Sequence, residues 1–133
     1  MKTAILLLAG AMLLVSGAPS AGTDKGDDTK KHASVWMKAK LEYSRNIQEG
    51  LTKGDFDMIL KNANSLNYAA YLEALFRAKW PVEYRDQVVQ FVAANKELIR
   101  EAKAKHLLGA TLAYTQLTVS CVKCHELIRN VGK

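Results

Sequence analysis

The sequence predicts an all-α protein, an antiparallel up-down-up-down four-helix bundle. Three observations lead there. From about residue 33 onward, apolar residues recur at helical spacing in four successive segments. The breaks between segments carry helix stop and start residues: Lys53-Gly54-Asp55, Trp80-Pro81, and the stretch His106 to Gly109. Strict apolar–polar alternation, the mark of a half-buried strand, is nearly absent. Amphipathic helices with short connections bury their stripes by packing antiparallel to their neighbours.

The first helix is expected over about 33–52. Ala33, Met37, Leu41, Ser44, Gln48 and Leu51 share one stripe, widened by Val35, Trp36, Tyr43 and Ile47, while Lys38, Lys40, Glu42, Arg45 and Glu49 are assigned to the other faces. Asp55 is a good N-cap for the second helix, over about 56–79. There Phe56, Ile59, Leu60, Ala63, Leu66, Ala70, Ala74 and Leu75 keep helical spacing, and Asn62, Asn64 and Asn67 are poor helix formers in its middle. Trp80 ends it, because a residue before proline is pushed out of helical geometry. Pro81 suits the start of the third helix, over about 82–105, whose stripe is Val88, Phe91, Val92, Asn95, Leu98, Ile99 and Ala102. The fourth helix is expected over about 110–130. Ala110, Tyr114, Leu117, Cys121, Cys124, Ile128 and Val131 alternate steps of four and three, as in a bundle seam. Its β-branched residues, Thr111, Thr115, Thr118, Val119 and Val122, would also suit a strand; the period decides for helix.

The start of the chain reads differently. Lys2 is followed by an apolar run from Ala4 to Val15, broken only by Gly10, and then by the small residues Ser16 to Ala21. This is the pattern of a cleaved secretory signal peptide, residues 1–21. The run, about 12 residues, is short of the roughly 20 a membrane-spanning helix needs, and no cysteine follows it to carry a lipid anchor. Residues 22–32 are polar and expected as a flexible linker, leaving 33–133 as the bundle. The expected location is the periplasm, with no stable membrane insertion. Of 19 basic residues only Lys2 precedes position 22, so the mature chain carries 18 against 13 acidic residues, a net +5. The excess is scattered, without a run longer than Lys30-Lys31. Nucleic-acid binding is therefore not expected, and the charge suits docking to acidic redox partners.

Both cysteines of the chain lie in one pentapeptide, Cys121-Val122-Lys123-Cys124-His125. Cys-x-x-Cys-His is the attachment pattern of a c-type haem. Two thiols add to the two porphyrin vinyl groups, and the histidine next to the second cysteine turns its imidazole onto the iron. Other readings fit less well. A zinc ribbon needs a second Cys or His pair, whereas His32 and His106 stand alone. A redox Cys-x-x-Cys opens a helix after a strand, whereas this one lies deep in the expected fourth helix. Export agrees with haem, since an exported thiol pair otherwise tends towards a disulfide. Two haem propionates would lower the net charge to about +3.

A signal peptide, four helices and a single Cys-x-x-Cys-His near the C-terminus, followed by Arg129, together resemble the class II c-type cytochromes over about residues 33–133. That family contains the cytochromes c-prime and their methionine-ligated relatives. The resemblance implies one covalent haem c held by Cys121 and Cys124, with His125 as proximal iron ligand. It implies that helix one covers the distal face. A methionine there gives six-coordinate iron suited to electron transfer; an apolar residue leaves iron five-coordinate and open to nitric oxide or carbon monoxide. Met37 is the candidate distal ligand, being the only methionine of helix one and on its inward stripe. The alternatives are that Met37 fills the core and that Leu41 stands over the iron; Met58, His32 and His106 are weaker candidates. Arg129, one turn past His125, either pairs with a propionate or tunes the ligand, or is a solvated helix-end residue. The family often pairs as homodimers through the first two helices, and Trp36, Tyr43, Tyr68 and Tyr71 suit either that contact or core packing. No acid, base or nucleophile constellation is visible, so the chain is not read as an enzyme. Three functions are carried forward: an exported electron carrier, a gas-binding haem protein, and a haem-free thiol redox or structural bundle.

Overall fold

The computed structural model describes the backbone of residues 25–76 and 80–131, and the side chains of 35–75 and 80–130. Four α-helices follow in order: α1 (Lys25–Lys53), α2 (Phe56–Phe76), α3 (Val82–Lys103) and α4 (Leu107–Val131). The architecture is the expected antiparallel four-helix bundle, and the described residues contain no strand. Direction is visible in the side-chain ties. Asn46 bonds Asn62, while Lys40, earlier in α1, pairs with Glu73, later in α2. The expected signal peptide, residues 1–21, lies outside the described residues, as do 77–79 at the expected end of helix two.

α1 begins at Lys25, eight residues before the predicted start and inside the segment expected as a linker. Polarity suggests a linker, but helix formation needs no apolar face at a free end. No proline interrupts residues 25–33, so the backbone can continue the helix through them.

Two turns follow the same local rule. After α1, Gly54 takes φ +67°, its N–H bonds the Leu51 carbonyl, and Asp55 N–H bonds the Gly50 carbonyl at 2.9 Å. This is a Schellman C-cap. Asp55 then accepts from Met58 N–H at 2.9 Å, the predicted N-cap of α2. After α3 the same pair of bonds recurs, from Lys105 N–H to Ala102 and from His106 N–H to Glu101, with Lys105 at φ 53°. The turn therefore lies at residues 104–106, and α4 starts at Leu107 rather than Ala110. Gly109 reads as a helix breaker in the sequence. It sits inside α4, where an added Cβ would collide with the Glu101 carboxylate and approach His106 Nδ1 at 2.6 Å.

The core joins Ile47 of α1, Ile59, Ala63, Leu66 and Ala70 of α2, Phe91, Leu98 and Ala102 of α3, and Ala110, Ala113 and Leu117 of α4. The stripes of α2, α3 and α4 are largely as predicted, although Leu75 is exposed. The asparagines of α2 do not break it. Asn62 and Asn64 donate back to the carbonyls of Met58 and Leu60, each at 2.8 Å. The threonines of α4 do likewise, each donating to the carbonyl four residues earlier, which satisfies their hydroxyls within a helix.

α1 is the exception. Ile47 is fully buried, whereas Gln48 is exposed and Leu41 is 52 % exposed. Its inward seam runs through Lys40, Tyr43, Ile47 and Gly50, so Tyr43 and Ile47, expected at the margin of the stripe, lie at its centre, and the Met37–Leu41–Gln48 line is turned aside. The cause is packing. α1 lies closely on α2, α2 on α3 and α3 on α4, while α1 and α4 meet only lightly. The bundle is thus open along its fourth edge, and the face of α1 holding Met37 and Leu41 borders that opening rather than the core.

Candidate cofactor site

A groove of about 500 Å³ occupies the open edge. α1 supplies Met37, Lys38, Lys40, Leu41 and Ser44; α4 supplies Leu117, Thr118, Cys121, Val122, Cys124 and His125; Leu66 of α2 and Phe91 of α3 lie at its base. The volume falls in the range of roughly 300–1,000 Å³ usual for small-molecule and cofactor sites. The lining is mostly apolar, as a porphyrin face requires. A second groove, of about 560 Å³ between α3 and α4, is lined by Gln87, Gln90, Glu97, Gln116 and Lys123 and holds neither cysteine.

The seam of α4 explains why the attachment motif meets this space. Leu117, Cys121 and Cys124 continue the line of Ala110 and Ala113, so the thiols leave the helix on its inner side while the helix itself runs past the end of the core. Both cysteines are half-buried, and no disulfide joins them. His125, one residue further round, is exposed at the rim of the groove. Near the closed end Tyr114 of α4 bonds the hydroxyl and carbonyl of Ser44 of α1, each at 3.0 Å, and so ties the two walls together.

The residues present fit haem c. The donor set is two thiols and an imidazole at the attachment spacing, with apolar space beside them. The electrostatics oppose a redox dithiol. Burial pushes the Cys121 thiol above its ordinary range; the Lys40 ammonium pulls it back in part, and Cys124 pushes it further up. A catalytic Cys-x-x-Cys needs the reverse, a thiolate stabilised at a helix N-terminus or by nearby cations.

The other predicted residues are placed as follows. Met37 is half-buried on the α1 wall, and Leu41 lines the same wall one turn later. Met58 opens α2, away from the groove. His106 is bonded to Glu101 at 2.6 Å, and the side chain of His32 lies outside the described residues. Arg129 is exposed in the last turn of α4 and does not line the groove. Tyr68 and Tyr71 are exposed, so core packing does not account for them; they lie off the Ile59–Ala63–Leu66–Ala70 seam. Tyr43 packs against the core.

Sequence reasoning misses Lys40, because its charge assigns it outward. Its ammonium points into the bundle, pairs with the carboxylate of Glu73, and stands 5.2 Å from the centre of the Phe91 ring. A signal exists: Lys40 is in step with Tyr43, Ile47 and Gly50, and Glu73 with Ile59, Ala63, Leu66 and Ala70. Opposite charges therefore occupy seam positions of two neighbouring helices.

Among the described residues no group of three or more His, Cys, Asp or Glu could hold a bare metal ion, and no helix is long and apolar enough to cross a membrane. No family model, curated protein or solved structure matches the chain. The motif and the fold together make it a four-helix bundle with a c-type haem attachment site and a cytochrome c-type role.

Proposed function

We propose that this chain is an exported monohaem electron carrier of the class II c-type cytochromes, working in the periplasm after removal of residues 1–21. The observation that carries the reading is the groove bordered by Cys121, Cys124 and His125 on one wall and Met37 on the other. Bound haem supplies one-electron exchange between ferric and ferrous iron. The chain's own residues do the rest. Cys121 and Cys124 would hold the ring by thioether bonds, and His125 would supply an imidazole ligand to the iron. Met37 would supply a thioether sulfur to the iron, and sulfur ligation would favour a high potential. Leu66, Phe91 and Leu117 exclude water. Redox proteins are the partners of this reading, and the exposed Tyr68 and Tyr71 of α2 support a homodimer through the first two helices.

The test uses protein made with the c-type maturation machinery. Pyridine haemochrome analysis should return one haem c per chain, and the ferrous form should be low-spin and slow to bind carbon monoxide. The Met37→Ala variant should become high-spin, bind carbon monoxide rapidly and lose potential. A high-spin parent that binds the gas at once would refute the carrier.

That outcome would favour a second reading, a five-coordinate protein binding nitric oxide or carbon monoxide. One observation supports it: Leu41 lines the same wall as Met37 and offers the groove an apolar side chain. In that case Met37→Ala would leave the spectrum and potential unchanged.

A further inference from the structure

Lys40 borders the haem groove, yet its charge is held inside the bundle. Its side chain is 17 % exposed, and that of its partner Glu73 only 2 %. Lys40 is on the groove lining and Glu73 is not, so the pair presents its positive end to the groove and keeps its negative end behind, towards α2. The field of the ammonium is felt at the groove wall, where it acts on the sulfur of Cys121.

Stability alone does not explain such a pair. Taking two charges out of water is costly, and well-packed apolar residues in their place are often neutral or stabilising. A lysine and a glutamate on adjoining seams therefore call for a use of the charge itself. The groove offers one. Ferric haem carries one more positive charge than ferrous haem, so a fixed cation closer to the ring than its counter-anion disfavours the ferric form. At low effective dielectric the field of such a charge is only weakly screened.

We propose that the Lys40–Glu73 pair is an electrostatic control on the haem's reduction potential, with Lys40 raising it and Glu73 limiting the rise. The inference rests on the haem site proposed above. Lys40 is a positioning residue in this role: it acts through its field and makes no bond to iron.

The test compares Lys40→Met, Glu73→Gln, the double variant and Lys40→Arg, each loaded with haem, by spectroelectrochemical titration. Lys40→Met should shift the ferric–ferrous equilibrium towards ferric by about tenfold, or about 59 mV for a one-electron couple. Glu73→Gln should shift it the other way by a smaller factor. The double variant should fall between Lys40→Met and the parent, and Lys40→Arg should keep the parent potential. A merely structural pair would alter unfolding midpoints and haem yield but would not move the two potentials in opposite directions. Potentials that stay put, or move the same way in both single variants, would overturn the proposal. If Lys40→Met does not fold, Glu73→Gln decides alone, since a fall or no change in its potential contradicts the inference. Pyridine haemochrome on each product separates the two readings. A parent without haem overturns both, and a haem-loaded series with unmoved potentials overturns this one only.

Discussion

Cys121 shows how one buried side chain links fold to chemistry. In the apoprotein the folded thiol has its pKa raised, chiefly by burial. The folded state therefore holds this proton more tightly than the unfolded state. The resulting stabilisation is fully present below the ordinary thiol value near 9.0 and is lost as pH rises through the higher folded value. Apoprotein urea midpoints should accordingly fall more between pH 8 and pH 10.5 in the parent than in Cys121→Ala; equal slopes would contradict this. Lys105 gives a second prediction at the same scale. It holds a left-handed backbone, which costs a non-glycine residue about 1 kcal/mol. Lys105→Gly should raise unfolding free energy by about that amount, measured by denaturant titration. Single residues are readable in the sequence where chemistry has a spacing: the attachment motif marks Cys121, Cys124 and His125. The sequence is silent on Lys105, because nothing in a lysine marks a positive φ. It misleads on Lys40, because a charge is ordinarily placed towards water.

The helices are legible because their stripes are long and their stops are chemically explicit. Asp55 caps, Gly54 closes, Pro81 starts, and each does so where expected. Two glycines are not legible, since their reason for being there is a neighbour distant in sequence or across a turn. Gly50 is buried where α1 meets the start of α2. A Cβ there would stand 2.9 Å from Ile59 Cγ1, 3.1 Å from Asp55 O and 3.2 Å from Ile59 N, and backbone atoms cannot swing aside. Gly50→Ala should cost about 1–3 kcal/mol by overpacking, outweighing the gain of up to about 1 kcal/mol from alanine's helix propensity. A stabilised variant in chemical denaturation would disprove the close approach. Gly109 plays the equivalent part for α3 and α4. Its space is filled by the carboxylate of Glu101, which pairs with Arg100 and His106. The rotation of α1 is unreadable for a related reason. Met37 and Leu41 make the apolar stripe look like a core stripe, although they line the groove.

For the whole molecule the decisive feature is the unequal closure of the four edges. Three helix pairs pack along their length; α1 and α4 are joined chiefly where Tyr114 meets Ser44. Tyr114→Phe removes the hydroxyl and leaves the ring. It should lower apoprotein stability by about 0.5–1.5 kcal/mol, the usual net worth of a hydrogen bond, read from urea midpoints. It should also let the two walls separate, so that haem-loaded protein loses less stability than apoprotein, because covalent attachment ties the groove on its own account. Equal losses in both forms would show that the clamp and the groove are independent. The up-down order and the antiparallel sense follow from connection lengths alone. Which edge stays open does not, since it depends on how tightly small residues such as Ala63, Ala102, Ala110 and Ala113 let three of the four helix pairs approach.

Leu66 and Phe91 come from α2 and α3, away from the attachment pentapeptide, and both are nearly inaccessible to water at the base of the groove. How deep a planar ring can settle is governed by these two side chains and not by the attachment pentapeptide. Bulkier or smaller residues at these positions would alter how much porphyrin rim protrudes from the protein. The tunnelling distance to a docked partner could therefore be adjusted from α2 and α3, independently of the bonds to the metal.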